Sequence, residues 1–177
     1  MKYAPLSAIL LLALACGDGK QEAAQQAAAA DSAATAASAR VLDLSANDMP
    51  LEIALPDAQL LGTDQDSIAW KEESGKLEVR AGEHFGISIS EEPADIERLR
   101  GDLERDLLRK NTVLSSTPDR IIYKSEFPDD PGLVFIHFYL IVPAQGRTFI
   151  VQDLDAQRFN ELDVTRMLDA VRAKAAA

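Results

Sequence analysis

Few side chains in this sequence are equipped for chemistry: one cysteine, Cys16, two histidines, His84 and His137, and a scatter of paired acids. A zinc centre draws on thiolate, imidazole and carboxylate. Here it needs both histidines plus carboxylates, yet His84 and His137 belong to separate elements, so no metal ligand set and no cofactor is expected. His137 shares a strand face with Phe135 and Tyr139, the setting of a hydrogen-bonded core histidine; His84 falls in a turn, where solvation is the expected state. The acidic run from Asp64 misses the calcium-loop pattern at Ala69, where glycine belongs, and at Ile68 before it. The run from Asp153 misses it at Arg158, and Val164 stands in place of the closing Glu, which leaves only an adventitious calcium site to consider. Asp129-Asp130 reads as turn chemistry, and Glu72-Glu73 and Glu91-Glu92 as solvated strand ends. No Gly-x-Ser-x-Gly or Ser-x-x-Lys is present, and the one Gly-x-Gly, Gly17-Asp18-Gly19, does not follow a strand. The catalytic expectation is therefore no enzyme.

Cys16 carries a different message. Upstream lie the early charge Lys2 and an apolar run, Leu6 to Ala15, far short of the roughly 20 residues that span a bilayer. Charge, short apolar stretch and small-residue ending together read as a secretory signal. Leu12-Ala13-Leu14-Ala15-Cys16 resembles the lipobox of bacterial lipoproteins, with Ala13 where leucine is more usual. The resemblance implies a signal peptide of residues 1–15, a thioether-linked diacylglycerol on Cys16, and a palmitate-type chain on its new amine. Each buried methylene contributes about 0.8 kcal/mol; one chain holds reversibly, two or three hold firmly. Gly17 rather than Asp after the cysteine implies, by the enterobacterial sorting pattern, the outer membrane, with the domain in the periplasm or at the cell surface. The competing reading is a secreted protein cut elsewhere, with Cys16 discarded or left a free thiol.

Residues 17–40 hold 11 alanines in 24 positions and no aromatic or branched apolar side chain, so they have nothing to bury. With Cys16 they read as a tether of residues 16–40, spanning about 25–30 Å as a coil. Residues 41–177 then form one domain, long enough for a single core. They carry 15 Lys+Arg against 26 Asp+Glu, a surplus of acid that argues against nucleic acid and against lying flat on anionic lipid. The sole cysteine leaves no intrachain disulfide, so stability rests on the core.

Periodicity supplies the elements. Leu51, Ile53 and Leu55 alternate between Pro50 and Pro56, predicting an edge or near-edge strand, and 58–62 a further short one. Ile68 and Trp70, then Leu77, Val79 and Ala81, then Phe85, Ile87 and Ile89, mark three strands linked by turns at 72–75 and 82–84. After Pro93 the period changes, and Ile96, Leu99, Leu103 and Leu107, flanked by Leu108, form a helical stripe. Asp106 and Lys110 are spaced for an i,i+4 pair, and Asn111 suits a left-handed stop. Strands follow over 120–127, 133–142 and 147–152, with 128–132 a rigid loop. The middle of these is apolar on both faces, which predicts the central strand of the sheet. Asn160, with Asp163 three residues on, opens a final helix carrying Val164, Met167, Leu168 and Val171 inward.

The sum is a single α+β domain, an antiparallel meander with two packed helices. In element order, residues 50–174 resemble small bacterial lipoproteins with a PsbP-like fold, also found in extrinsic photosystem subunits and Ran-binding Mog proteins. That resemblance implies accessory or scaffolding roles and carries over no functional residue. Two classes of function compete. One is a lipid-anchored, non-catalytic accessory or binding protein of the cell envelope, with an envelope protein as partner. The other is a carboxylate- and His137-dependent hydrolase, which needs His137 exposed in a cleft; burial against aromatics removes its basis. A small-ligand carrier, with Trp70 and Tyr139 lining a pocket between helix and sheet, is a third reading.

Overall fold

The computed structural model describes residues 40–155 and 157–175. They form an α+β domain built on antiparallel strands. A seven-stranded sheet has the order β3-β4-β5-β9-β8-β7-β6, and a three-stranded sheet the order β1-β2-β10. The strands are β1 Arg40–Asp43, β2 Leu51–Leu55, β3 Ser67–Lys71, β4 Lys76–Arg80, β5 Gly86–Glu91, β6 Lys110–Ser116, β7 Arg120–Phe127, β8 Asp130–Ala144, β9 Arg147–Asp153 and β10 Val171–Ala173. The helices are α1 Ala58–Leu61, α2 Ile96–Arg105 and α3 Glu161–Ala170.

Alternation places the core. Leu77 and Val79 of β4, Ile87 and Ile89 of β5, Phe149 and Val151 of β9, and Phe138 and Leu140 of β8 point to one face of the large sheet. There they meet Leu51, Ile53 and Leu55 of the small sheet and Val164, Met167 and Leu168 of α3 in one cluster. The opposite face carries a smaller cluster, in which Ile121, Tyr139 and Ile150 pack under Ile96 of α2.

Helix α3 begins as its sequence requires. Asn160 accepts the Asp163 N–H at 2.9 Å while Asp163 reaches back to the Asn160 N–H, a reciprocal cap that satisfies two orphan donors. Helix α2 starts at Asp95, whose carboxylate accepts the Glu97 and Arg98 N–H groups.

Several expectations need correction. Residues 58–61 are a helical turn rather than a strand, because Asp57 caps its start and Gly62 takes the left-handed conformation at its end. β2, expected at or near an edge, is the middle of three strands and so lies next to both edges: the prolines fall just outside it, and every donor within Leu51–Leu55 is free to pair. Helix α2 stops at Arg105, short of the expected stripe, because Asp106 adopts extended geometry and its carboxylate accepts the Leu108 and Arg109 N–H groups. Leu107 and Leu108 consequently stand 96% and 79% exposed. Asp106 pairs with Arg109 at 2.8 Å, not with Lys110. Asn111 lies within the unanticipated strand β6, where its amide donates to the Leu103 carbonyl and its oxygen accepts from Ser125. The loop after Phe127 narrows to Pro128-Asp129, since β8 already starts at Asp130. Finally, β9 occupies the middle of the large sheet and β8 lies beside it. β8 is apolar on both faces because α2 covers Tyr139 and Ile141 while the main core takes Phe138, Leu140 and Val142.

Candidate functional site

His137 is 6% exposed in mid-β8. Cross-strand pairing sets it opposite Tyr123 of β7, ring centroids 5.1 Å apart, and its own strand stacks Phe135 against it at 5.8 Å and nearly parallel. On the remaining side Nδ1 lies 2.7 Å from Oδ2 of Asp153. The other oxygen of that carboxylate accepts the backbone N–H of Phe138 at 2.9 Å. Against an ionised carboxylate, which only accepts, Nδ1 is the donor of this bond.

A carboxylate orienting an imidazole is half of a catalytic triad. Among the described residues no hydroxyl group hydrogen-bonds to this imidazole. The nearby hydroxyl Ser125 is committed to Asn111 at 2.6 Å, and Tyr123 is held as a phenol by burial first and by the Asp153 charge second, both raising its pKa. The imidazole stands buried among aromatic rings rather than open in a cleft.

The remaining sequence candidates scatter. His84, expected to be solvated, is half-exposed but leans on the buried Asp163, Nδ1 to Oδ2 3.2 Å. Asp66 pairs with Arg40 at 2.7 Å, and Asp64 meets the same arginine through its carbonyl. Glu91 is clasped by Arg147, whose guanidinium holds its carboxyl below the usual range. Glu92 accepts from Ser90 at 2.7 Å, and Asp130 turns its carboxylate to the Gly132 N–H. Among the described residues no three His, Cys, Asp or Glu side chains converge in a way that would hold a metal ion. Cys16, with residues 1–39 as a whole, lies outside the described residues. No described helix is long and apolar enough to cross a membrane.

Open space lies in shallow clefts. Two flank α2, each of about 500 Å³: one between Pro93, Arg98, Leu99, Tyr139 and Gln152, the other between Ile96, Arg100, Thr117 and Ile141. Tyr139 lines a cleft beside the helix, and Trp70 does not share it. Trp70 stands on β3 at the far edge of the sheet, 52% exposed, beside a groove of about 530 Å³ with Asn47, Asp48, Glu91 and Arg147. Sequence reasoning missed the Asp153 partnership, because residues 16 apart meet only through strand pairing. It also missed the Trp70 groove, since alternation places Ile68 and Trp70 on one face without showing that this face runs beyond the core.

Comparison of the chain with models of protein families, with curated proteins and with solved structures gives no match.

Proposed function

We propose that this chain is a lipid-anchored, non-catalytic accessory or binding protein of the bacterial cell envelope, held at Cys16 and meeting a protein partner through its folded domain. The observation that carries the reading is Leu12-Ala13-Leu14-Ala15-Cys16, a lipobox-like sequence at the end of a short apolar run, followed by a polar, Ala-rich tether. The domain supports it in a second way: His137 pairs with Asp153, His84 with Asp163 and Glu91 with Arg147, and its clefts are open. On this reading residues 1–15 are removed and the domain stands above the outer membrane, in the periplasm or at the cell surface. A small-ligand carrier is the second reading, favoured by the cleft that Tyr139 lines beside α2.

Fractionation of cells expressing Cys16→Ser beside the parent chain tests the anchor. The parent is expected in the membrane fraction and the variant in the soluble fraction; a variant that stays with the membrane as fully as the parent overturns the reading. Crosslinking in the native envelope followed by pull-down tests the accessory role, and recovery of no partner counts against it.

A further inference from the structure

The two edges of the large sheet are treated differently. β6 is guarded: its pairing with β7 is broken by a bulge at Leu114, and Lys110 stands at its start. β3 is not. Its register with β4 runs unbroken from Ser67–Arg80 to Lys71–Lys76, it holds no proline, and no described strand pairs with its outer side. All five of its residues are exposed. Ile68 and Trp70 stand opposite Val79 and Leu77, which are fully buried, so the core face of the sheet continues here into solvent. A straight edge of unpaired N–H and C=O groups, with large apolar side chains beside it, is a template for another strand.

Charge decides what that strand is. Two grooves border Trp70, and between them they present five carboxylates against the cations Lys71 and Arg147. Three of the five are already paired, Glu78 with Lys71 at 3.7 Å and with Arg80 at 3.0 Å, Glu91 with Arg147 at 2.5 Å, and Asp48 with the same arginine at 3.4 Å. Glu72 and Glu73 have no ion-pair partner among the described residues. A second copy would bring this acidic rim against its own like, and an acidic peptide would meet the same repulsion. A lysine or arginine side chain gains both the carboxylates and the face of Trp70, the best of the aromatic surfaces for a cation. A sugar ring can stack on the indole but leaves the backbone row unused.

We infer that the outer edge of β3 is a docking strand for an extended, basic segment of a partner protein, which adds to the sheet beside Ile68 and Trp70. The inference deepens the binding role proposed above and is independent of the lipid anchor. Its apolar contacts fall on alternate residues of the incoming strand, and its cations lie toward Glu72 and Glu73.

Trp70 is the only tryptophan in the chain, so its emission reports this edge alone. The full-length protein in detergent micelles is titrated with a short peptide alternating lysine and valine, its fully N-methylated form, a glutamate–valine counterpart and chitotriose. The lysine peptide is expected to shift Trp70 emission saturably and to weaken as salt is raised. Its N-methylated form, stripped of strand-pairing donors, should bind about tenfold more weakly or worse. Glu72→Gln combined with Glu73→Gln should weaken binding severalfold with the reporter intact, and the glutamate peptide should give no shift. No response to the lysine peptide at millimolar concentration, equal binding of the N-methylated form, or a response to chitotriose in its place overturns the inference. A partner recovered by crosslinking while this titration fails leaves the binding role standing and removes β3 as its surface.

Discussion

The Asp153 carboxylate bridges Nδ1 of His137, at 2.7 Å, and the backbone N–H of Phe138, at 2.9 Å, where the β8–β9 ladder ends while β9 stays paired to β5. A side chain thus replaces the ladder bond that Phe138 would otherwise make. Asp153→Ala leaves two buried donors without partners, and each such loss costs about 1–3 kcal/mol. Denaturant unfolding of the variant is expected to show a loss of about 2–4 kcal/mol, with Asp153→Asn milder because its amide oxygen still accepts. A loss below about 0.5 kcal/mol would show that water or a neighbour takes over both bonds.

Early termination of α2 makes a second prediction. Leu107 is almost wholly exposed, whereas Leu77 is fully buried in the main core. Leu107→Ala should change stability by no more than about 0.5 kcal/mol, and Leu77→Ala should cost about 2–5 kcal/mol. Comparable losses for the two would mean that the helix runs on and buries Leu107.

Two glycines with left-handed backbone separate conformational strain from collision. Gly75 has φ +63° with open space around it, while a Cβ on Gly82, at φ +64°, would strike the Leu61 carbonyl. Gly75→Ala is expected to cost about 1 kcal/mol, the penalty for a Cβ in the left-handed region. Gly82→Ala should cost clearly more, because the obstacle is backbone and cannot swing aside. Thermal melts of the two variants side by side give the ranking, and equal costs would contradict it.

Acid should weaken the domain through identifiable carboxylates. Asp43 is held well below its ordinary value, chiefly by the Lys174 ammonium at 2.5 Å and then by Ser45. Glu91 is lowered chiefly by Arg147, Asp106 by the Leu108 N–H, and Asp119 by the Thr117 hydroxyl. A native pKa below the unfolded one adds stability that is complete above the unfolded value, about 4, and is lost as pH falls through the native value. Through these carboxylates unfolding free energy should therefore decline as pH falls below about 4. Lys174→Met should flatten part of that decline, and added salt another part, since Asp43, Glu91 and Asp119 are exposed. Stability that rises on acidification would contradict the assignment.

Much of the fold was legible because burial on one face writes itself into period two, as in Leu77-Val79 and Ile87-Ile89, and the Asn160–Asp163 cap marked α3 directly. The failures share a cause. Leu107 and Leu108 continue the α2 period in sequence, yet one Asp106 carboxylate bonding forward overrides it and releases the chain into β6. β1 and β10 span four and three residues, too few for a period, and exist because β2 offers them both its edges. Burial of His137 among aromatics followed from Phe135 and Tyr139 on its own strand, but its carboxylate partner depended on a register that no local pattern encodes.

Mass spectrometry of the N-terminal peptide from protein purified out of its native membrane tests the proposed function most directly. The expected species begins at Cys16 and carries the mass of a thioether-linked diacylglycerol together with an amide-linked acyl chain. An unmodified thiol at position 16, or a mature chain that starts at a later bond, contradicts it.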